Sequence, residues 1–242
     1  MNKKKYDVFI SLGKDCACSM YLKRHHLRQA SLPLDWLTEP ANPNSLRKRF
    51  ELILHDFNDF MNKDDFKYLP KDPNKINDDK HDYYENTKTG LYFYHDFKAG
   101  IDFNDQFSQV HKKYQRRINR FYRTIKQHKK VLLIWFCHDP INITDSELIH
   151  YGKKINEKFQ KEIDIFIFQN NTTYPPLDKF DAIALNTNIT KCIMNTYPVS
   201  VECPTQGNVT LCNKVFTQFT IRNRLIRKYK SKLYRLCARN ID

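Results

Sequence analysis

Cys16 is the side chain from which covalent chemistry would start. It follows the apolar run Val8-Phe9-Ile10 and Gly13, which predicts a thiol in the first turn of a helix leaving the end of a strand. The bare amides and partial positive charge of a helix start favour a thiolate over a thiol. The carboxyl edge of a parallel sheet is also where α/β proteins bind ligands. The competing reading is a buried structural cysteine, a common fate of that residue type. A nucleophilic thiol needs an imidazole to take its proton and a third group to orient the ring. His95, with Asp96 beside it, is the first candidate base. Neighbours on a strand point to opposite faces, so Asp35 competes with Asp96 as the orienter. His138 and Asp139 close a later apolar run and make His138 the alternative base. The other reading of His95 is a core histidine bonded to a backbone carbonyl.

Other chemistries find less support. Cys16 and Cys18 lack a second closely spaced pair, so no metal site is expected. The sequence holds no Gly-x-x-x-x-Gly-Lys, Gly-x-Gly-x-x-Gly or Gly-x-Ser-x-Gly. Nucleotide-driven chemistry and the common serine-hydrolase layout are therefore unsupported, and no cofactor is expected. Ser11 reads as a strand-end residue, and His25 and His26 as solvent-facing positions of the first helix.

The elements that must position these groups follow from periodicity. A buried strand is predicted over 6–12 and a helix over 15–28. Ser31 to Trp36 is extended, because the residue before a proline is pushed out of the helical region. A short helix over 46–54 precedes a polar stretch, 56–88, that reads as an inserted surface arm. The strand over 90–97 should place Leu91, Phe93 and His95 on one face and Tyr92, Tyr94 and Asp96 on the other. Phe107, Val110, Tyr114, Ile118, Phe121 and Ile125 form one apolar stripe of a helix over 104–129. Strands over 131–136, 163–168 and 180–185, a helix over 146–160 and a basic helix over 222–239 complete the order. Continuous apolar strands alternating with helices predict a single α/β domain over 1–242. Its architecture is three-layer, a mostly parallel sheet flanked by helices, with a papain-like α+β arrangement as the alternative.

The chain of 242 residues carries a net charge of +14, and its apolar fraction of 40% is that of a globular protein. The positive excess lies mainly in 112–130 and 222–239. It suits an anionic partner, nucleic acid included, or simply a solvated helix face. Lys3, Lys4 and Lys5 precede only a short apolar run, unlike a secretory leader, and no run approaches the roughly 20 residues of a membrane helix. A reducing, cytoplasmic setting with free thiols is expected for the seven cysteines.

The blocks that hold these residues resemble a known family. Ser11, Leu12, Gly13, Cys16, Ser31, Pro33, Asp35 and Trp36 match the opening signature of the putative papain-like cysteine peptidase family, with Leu34 where the family has phenylalanine. His95-Asp96-Phe97 resembles its His-Asp-Phe, and Tyr114, Arg116, Arg117, Arg120 and Phe121 resemble its basic helix. The resemblance covers about 6–168; the C-terminal third departs from it. It implies Cys16 as nucleophile and His95 as base. The matched Ser11, Gly13, Trp36, Arg117 and Arg120 become the expected substrate-binding positions, with the Pro33–Trp36 corner as a pocket wall.

Three readings follow. The first is a thiol-dependent hydrolase acting on a peptide, ester or glycan. The second is an acyl- or glycan-modifying transferase or esterase of surface polysaccharide biosynthesis. The third is a non-catalytic polyanion binder.

Overall fold

The run Val8-Phe9-Ile10-Ser11-Leu12-Gly13 is buried at every position. A strand buried on both faces belongs inside a parallel sheet covered by helices, and that is what the chain builds. The computed structural model describes residues 3–14, 16–40, 42–58, 60–71, 80–139, 141–197 and 204–222. In chain order the strands are β1 (Lys4–Tyr6), β2 (Val8–Gly13), β3 (Phe66–Leu69), β4 (His81–Asn86), β5 (Leu91–Lys98), β6 (Val131–Trp135), β7 (Ile163–Asn170), β8 (Phe180–Ala184), β9 (Ile189–Met194) and β10 (Phe219–Ile221). The helices are α1 (Ala17–Arg24), α2 (Ser45–Leu54), α3 (Phe103–Gln127), α4 (Asp145–Phe159) and α5 (Val209–Phe216).

The central sheet has the order β2-β6-β7-β9-β8. Its first three pairings are parallel, and β8 joins the edge antiparallel. Alternation sorts the side chains into two cores. Val8, Ile10, Leu12, Leu133, Trp135, Ile165 and Ile167 pack with α2, α3 and α4. Phe9, Leu132, Ile134, Phe136, Phe166 and Phe168 pack with α1 and α5 on the other face. The fold is thus a three-layer α/β structure with a mostly parallel sheet flanked by helices. The stripe of α3 is buried as its spacing requires, from Phe107 to Ile125. Burying each such side chain contributes about 2 kcal/mol.

Several elements differ from the sequence expectation. The first helix ends at Arg24, not at residue 28, because the chain turns left-handed at His26 (φ 56°). The strand 90–97 does not enter the central sheet. It forms β5 of a separate antiparallel sheet, β3-β4-β5. Its alternation is broken by a bulge: Phe93 faces Tyr84 and Phe97 faces Asp82, so three residues of β5 oppose Tyr83 alone. A bulge re-aims side chains. His95 consequently turns outward and is exposed, while the Asp96 side chain points inward at 3% exposure. The polar stretch before it is anchored by more apolar groups than its composition suggests. Phe57, Phe60 and Met61 are buried, and Phe66 packs on Phe93 and Phe107. β9 and α5 were not distinguished by periodicity. The basic helix expected over 222–239 lies, beyond Arg222, outside the described residues.

Candidate functional site

Ser11 Oγ accepts a hydrogen bond from Gly13 N at 3.1 Å, closing the turn at the end of β2. Gly13 has φ +96°, and a Cβ there would stand 2.9 Å from Arg49 Nε. Only glycine fits that conformation and that approach. Arg49 is fully buried, lies over the Trp135 ring at 5.2 Å, pairs with Glu39 and donates to Ser45 Oγ at 2.6 Å. A buried arginine–glutamate pair thus underpins the turn that carries the thiol. Ser11 is itself buried, so its observed role is to shape this turn.

Cys16 caps α1: its carbonyl accepts from Met20 N at 2.9 Å. Among the five described cysteines it alone is half-buried; Cys18, Cys137, Cys192 and Cys212 are buried. Burial pushes the Cys212 thiol up to about 12 and Cys192 up as well, which keeps both protonated. Cys18 Sγ donates to the Ile134 carbonyl at 3.5 Å, fixing α1 against β6.

The chain of β6 ends beside that turn. Lys14 N donates to Phe136 O at 2.8 Å, and Phe136 N to Gly13 O at 2.9 Å. Two residues beyond Phe136 comes His138, on the same carboxyl edge as Cys16. His138 packs edge-on against Phe136 and parallel to Tyr197. Its Nε2 lies 3.1 Å from the Thr205 carbonyl, so Nε2 must carry the proton of that bond. The other nitrogen, Nδ1, is buried on the side of the Thr196 carbonyl and Gly207, without a well-formed hydrogen bond among the described residues. Burial lowers the His138 pKa, and the Lys14 charge acts in the same direction. The Thr205 and Thr196 carbonyls and Asp139 act against it. Gly207 is required here too, since a Cβ would collide with the ring. Residues 204–206 also receive α1, through Tyr21 Oη to Gln206 O at 2.7 Å. Cys16 and His138 therefore share one edge and one face of the sheet. Lys14, 8% exposed, pairs with Asp139 at the same edge.

The other expected site residues lie elsewhere or serve the scaffold. His95 sits on the outer side of the β3-β4-β5 sheet, its ring 5.9 Å from His81. The inner face of that sheet belongs to the core opposite α1. Asp96 is held by Tyr114 Oη at 2.8 Å and Lys113 Nζ at 2.6 Å, with Arg117 at 3.9 Å. Asp35, 2% exposed, accepts from Arg28 Nη2 at 2.7 Å and Leu32 N at 2.9 Å. Trp36 lies under the Arg28 guanidinium at 5.1 Å, and Arg120 donates to Ser31 O at 2.9 Å. Asp35, Trp36 and Arg120 thus lock the 28–36 corner against α3, and Arg117 covers Tyr114. Sequence reasoning missed Lys14, Glu39 and Arg49. Lys14 stands inside the Ser11–Cys16 block, yet nothing in its neighbours signals a buried lysine.

A half-exposed thiol at a helix start, on the carboxyl edge of a parallel sheet, defines an α/β protein with a candidate nucleophile. The chain belongs to the family described as "Putative papain-like cysteine peptidase (DUF1796)", whose model matches residues 7–169. It is also similar to "Uncharacterized protein R408" of Acanthamoeba polyphaga mimivirus, with 28% identity over 176 residues, covering 69% of this chain and 74% of that protein. No solved structure matches the chain. Among the described residues no helix is long and apolar enough to cross a membrane.

Proposed function

We propose that the protein is a thiol-dependent hydrolase in which Cys16 attacks an acyl carbonyl and His138 manages the proton. The supporting observation is the shared edge and face of Cys16 and His138, beside a turn that the sequence spends Gly13, Lys14 and Arg49 to hold. In this step the His138 ring turns from its Thr205 contact toward Cys16 and takes the thiol proton as the carbon–sulfur bond forms. The proton passes to the leaving amine or alcohol as the scissile bond breaks, and water then releases the acid from the thioester. First-turn amides of α1 would carry the oxyanion. This reading prefers His138 to His95 because β6, whose chain runs on to His138, pairs directly with β2, whereas β5 pairs with β4. Asp35 and Asp96 act through the scaffold, not on the imidazole. A hydroxyl acceptor in place of water would give the acyl-transfer variant of the same chemistry.

The test is turnover of a panel of activated esters and peptides. Cys16→Ala and His138→Ala should each lower it by at least roughly a hundred-fold, the scale of a lost acid–base group, while His95→Ala stays near wild type. A thiol-reactive acyl probe should label Cys16 faster than buried Cys137. Equal labelling of the two cysteines, or loss of turnover only in His95→Ala, would sink this assignment.

A further inference from the structure

The opposite edge of the sheet holds a basic cavity. A cavity of about 410 Å³ opens at the amino ends of β6, β7 and β9, within the volume range of small-molecule pockets. The parallel pair β1–β10 forms one wall, with Lys4 opposite Phe219 and Tyr6 opposite Ile221. Lys3, Lys4, Lys5, Lys130 and Arg222 line it, against one carboxylate, Asp164. That carboxylate is already occupied. Asp164 Oδ2 accepts from Tyr6 Oη at 2.8 Å and Oδ1 from Asn188 Nδ2 at 3.0 Å. Burial and the Asp164 bond push the Tyr6 hydroxyl up, so it remains a donor. Lys130 Nζ stands 3.9 Å from Asp164, at the edge of ion pairing, and 5.8 Å over the Tyr6 ring. The cavity therefore gathers five cations around one engaged acid.

Like charges brought together repel, and they weaken the fold unless a counter-charge joins them. The nearest further carboxylate among the described residues, Asp7, is engaged too: its Oδ2 accepts from Lys130 N at 2.8 Å. Leu132, Ile165 and Phe166 give the floor an apolar character, and Thr187, Asn188 and Thr190 add neutral polar groups. Several phosphate oxygens on a compact body match this set, through lysine point charges and the arginine fork.

We propose that this cavity binds a small ligand carrying two or more phosphates, at a place separate from the Cys16 edge. The probe is inorganic tripolyphosphate, titrated calorimetrically into the full chain at constant ionic strength. Saturable one-to-one binding is expected. Lys5→Ala with Lys130→Ala should weaken it by roughly ten-fold or more, since each lost cation removes charge-assisted hydrogen bonds. Lys112→Ala with Lys126→Ala on α3 removes equal charge elsewhere and should leave it within about two-fold, and Cys16→Ala should not change it. Circular dichroism keeps loss of fold separate from loss of binding. Non-saturable binding, or equal weakening by the α3 pair, would mean general polyanion attraction and overturn the proposal, as would no binding at all. Because Cys16→Ala leaves this titration intact, its outcome is independent of the hydrolase reading.

Discussion

At the scale of residues, the matched motif separates into chemistry and carpentry. Gly13 and Cys16 make the edge at which the thiol sits, whereas Asp35 and Arg28 hold a corner. Asp35→Ala strands the guanidinium and frees Leu32 N, and should cost about 3 kcal/mol of stability, the scale of a broken buried pair. Denaturant unfolding measures it; a loss of only a few tenths would show that the corner is not fixed by this carboxylate. His138 gives a pH signature. Its folded pKa is lowered, so the unfolded state binds the proton more readily. Its contribution to stability is full above the ordinary histidine value near 6.5 and is lost as pH falls through the lowered folded value. The His138→Gln variant should therefore flatten the acid side of the stability profile relative to the parent. If His138 is the base, the acid limb of turnover should also fall below the usual histidine range.

At the scale of elements, the end of β2 is tightly constrained. Gly13→Ala puts a Cβ at positive φ, 2.9 Å from Arg49 Nε. The backbone strain alone costs about 1–3 kcal/mol, and the buried Arg49–Glu39 pair must shift as well. Thermal unfolding should show a clear drop, and Cys16 labelling should slow in the same variant because α1 starts from that turn. The bulge in β5 is the second decisive element. It turns one residue of an adjacent pair inward and the other outward, which places Asp96 on Tyr114 and His95 in solvent. Strict two-residue alternation could not anticipate it, because a bulge leaves no mark in the apolar pattern of Leu91, Phe93 and Phe97.

At the scale of the whole molecule, two cores share one sheet, and the small antiparallel sheet is attached through α3 and the Thr38–Tyr92 bridge. Parallel strands buried on both faces should open only with global unfolding, while β3 and β4 have half-exposed or exposed residues along most of their length. Hydrogen exchange should find the slowest amides in β2, β6 and β7 and faster ones in β3 and β4. Equal protection throughout would show that the small sheet unfolds only with the rest. The basic stripe of α3 is also partly internal: Lys113 and Arg117 face Asp96, and Arg120 faces Ser31.

Much of this was legible in the chain. Continuous apolar runs at 8–10, 131–136 and 163–168, alternating with helical stripes, point to parallel inner strands, because helices on both faces of a sheet bury both faces of its strands. The 3.6-residue stripe of α3 and the glycine before Cys16 likewise follow from local rules. Strand order, the separate sheet and the pairing of distant groups were decided only by tertiary structure. His138 meets the Thr205 carbonyl, Asp164 meets Tyr6, and Lys14 meets Asp139 across long sequence separations. Such meetings depend on which strands lie side by side, and no local pattern encodes that. Cys16 and both candidate imidazoles, His95 and His138, are legible from their neighbours alone; that β6 pairs with β2 and β5 joins another sheet is decided only by tertiary structure, because strand order has no local signature.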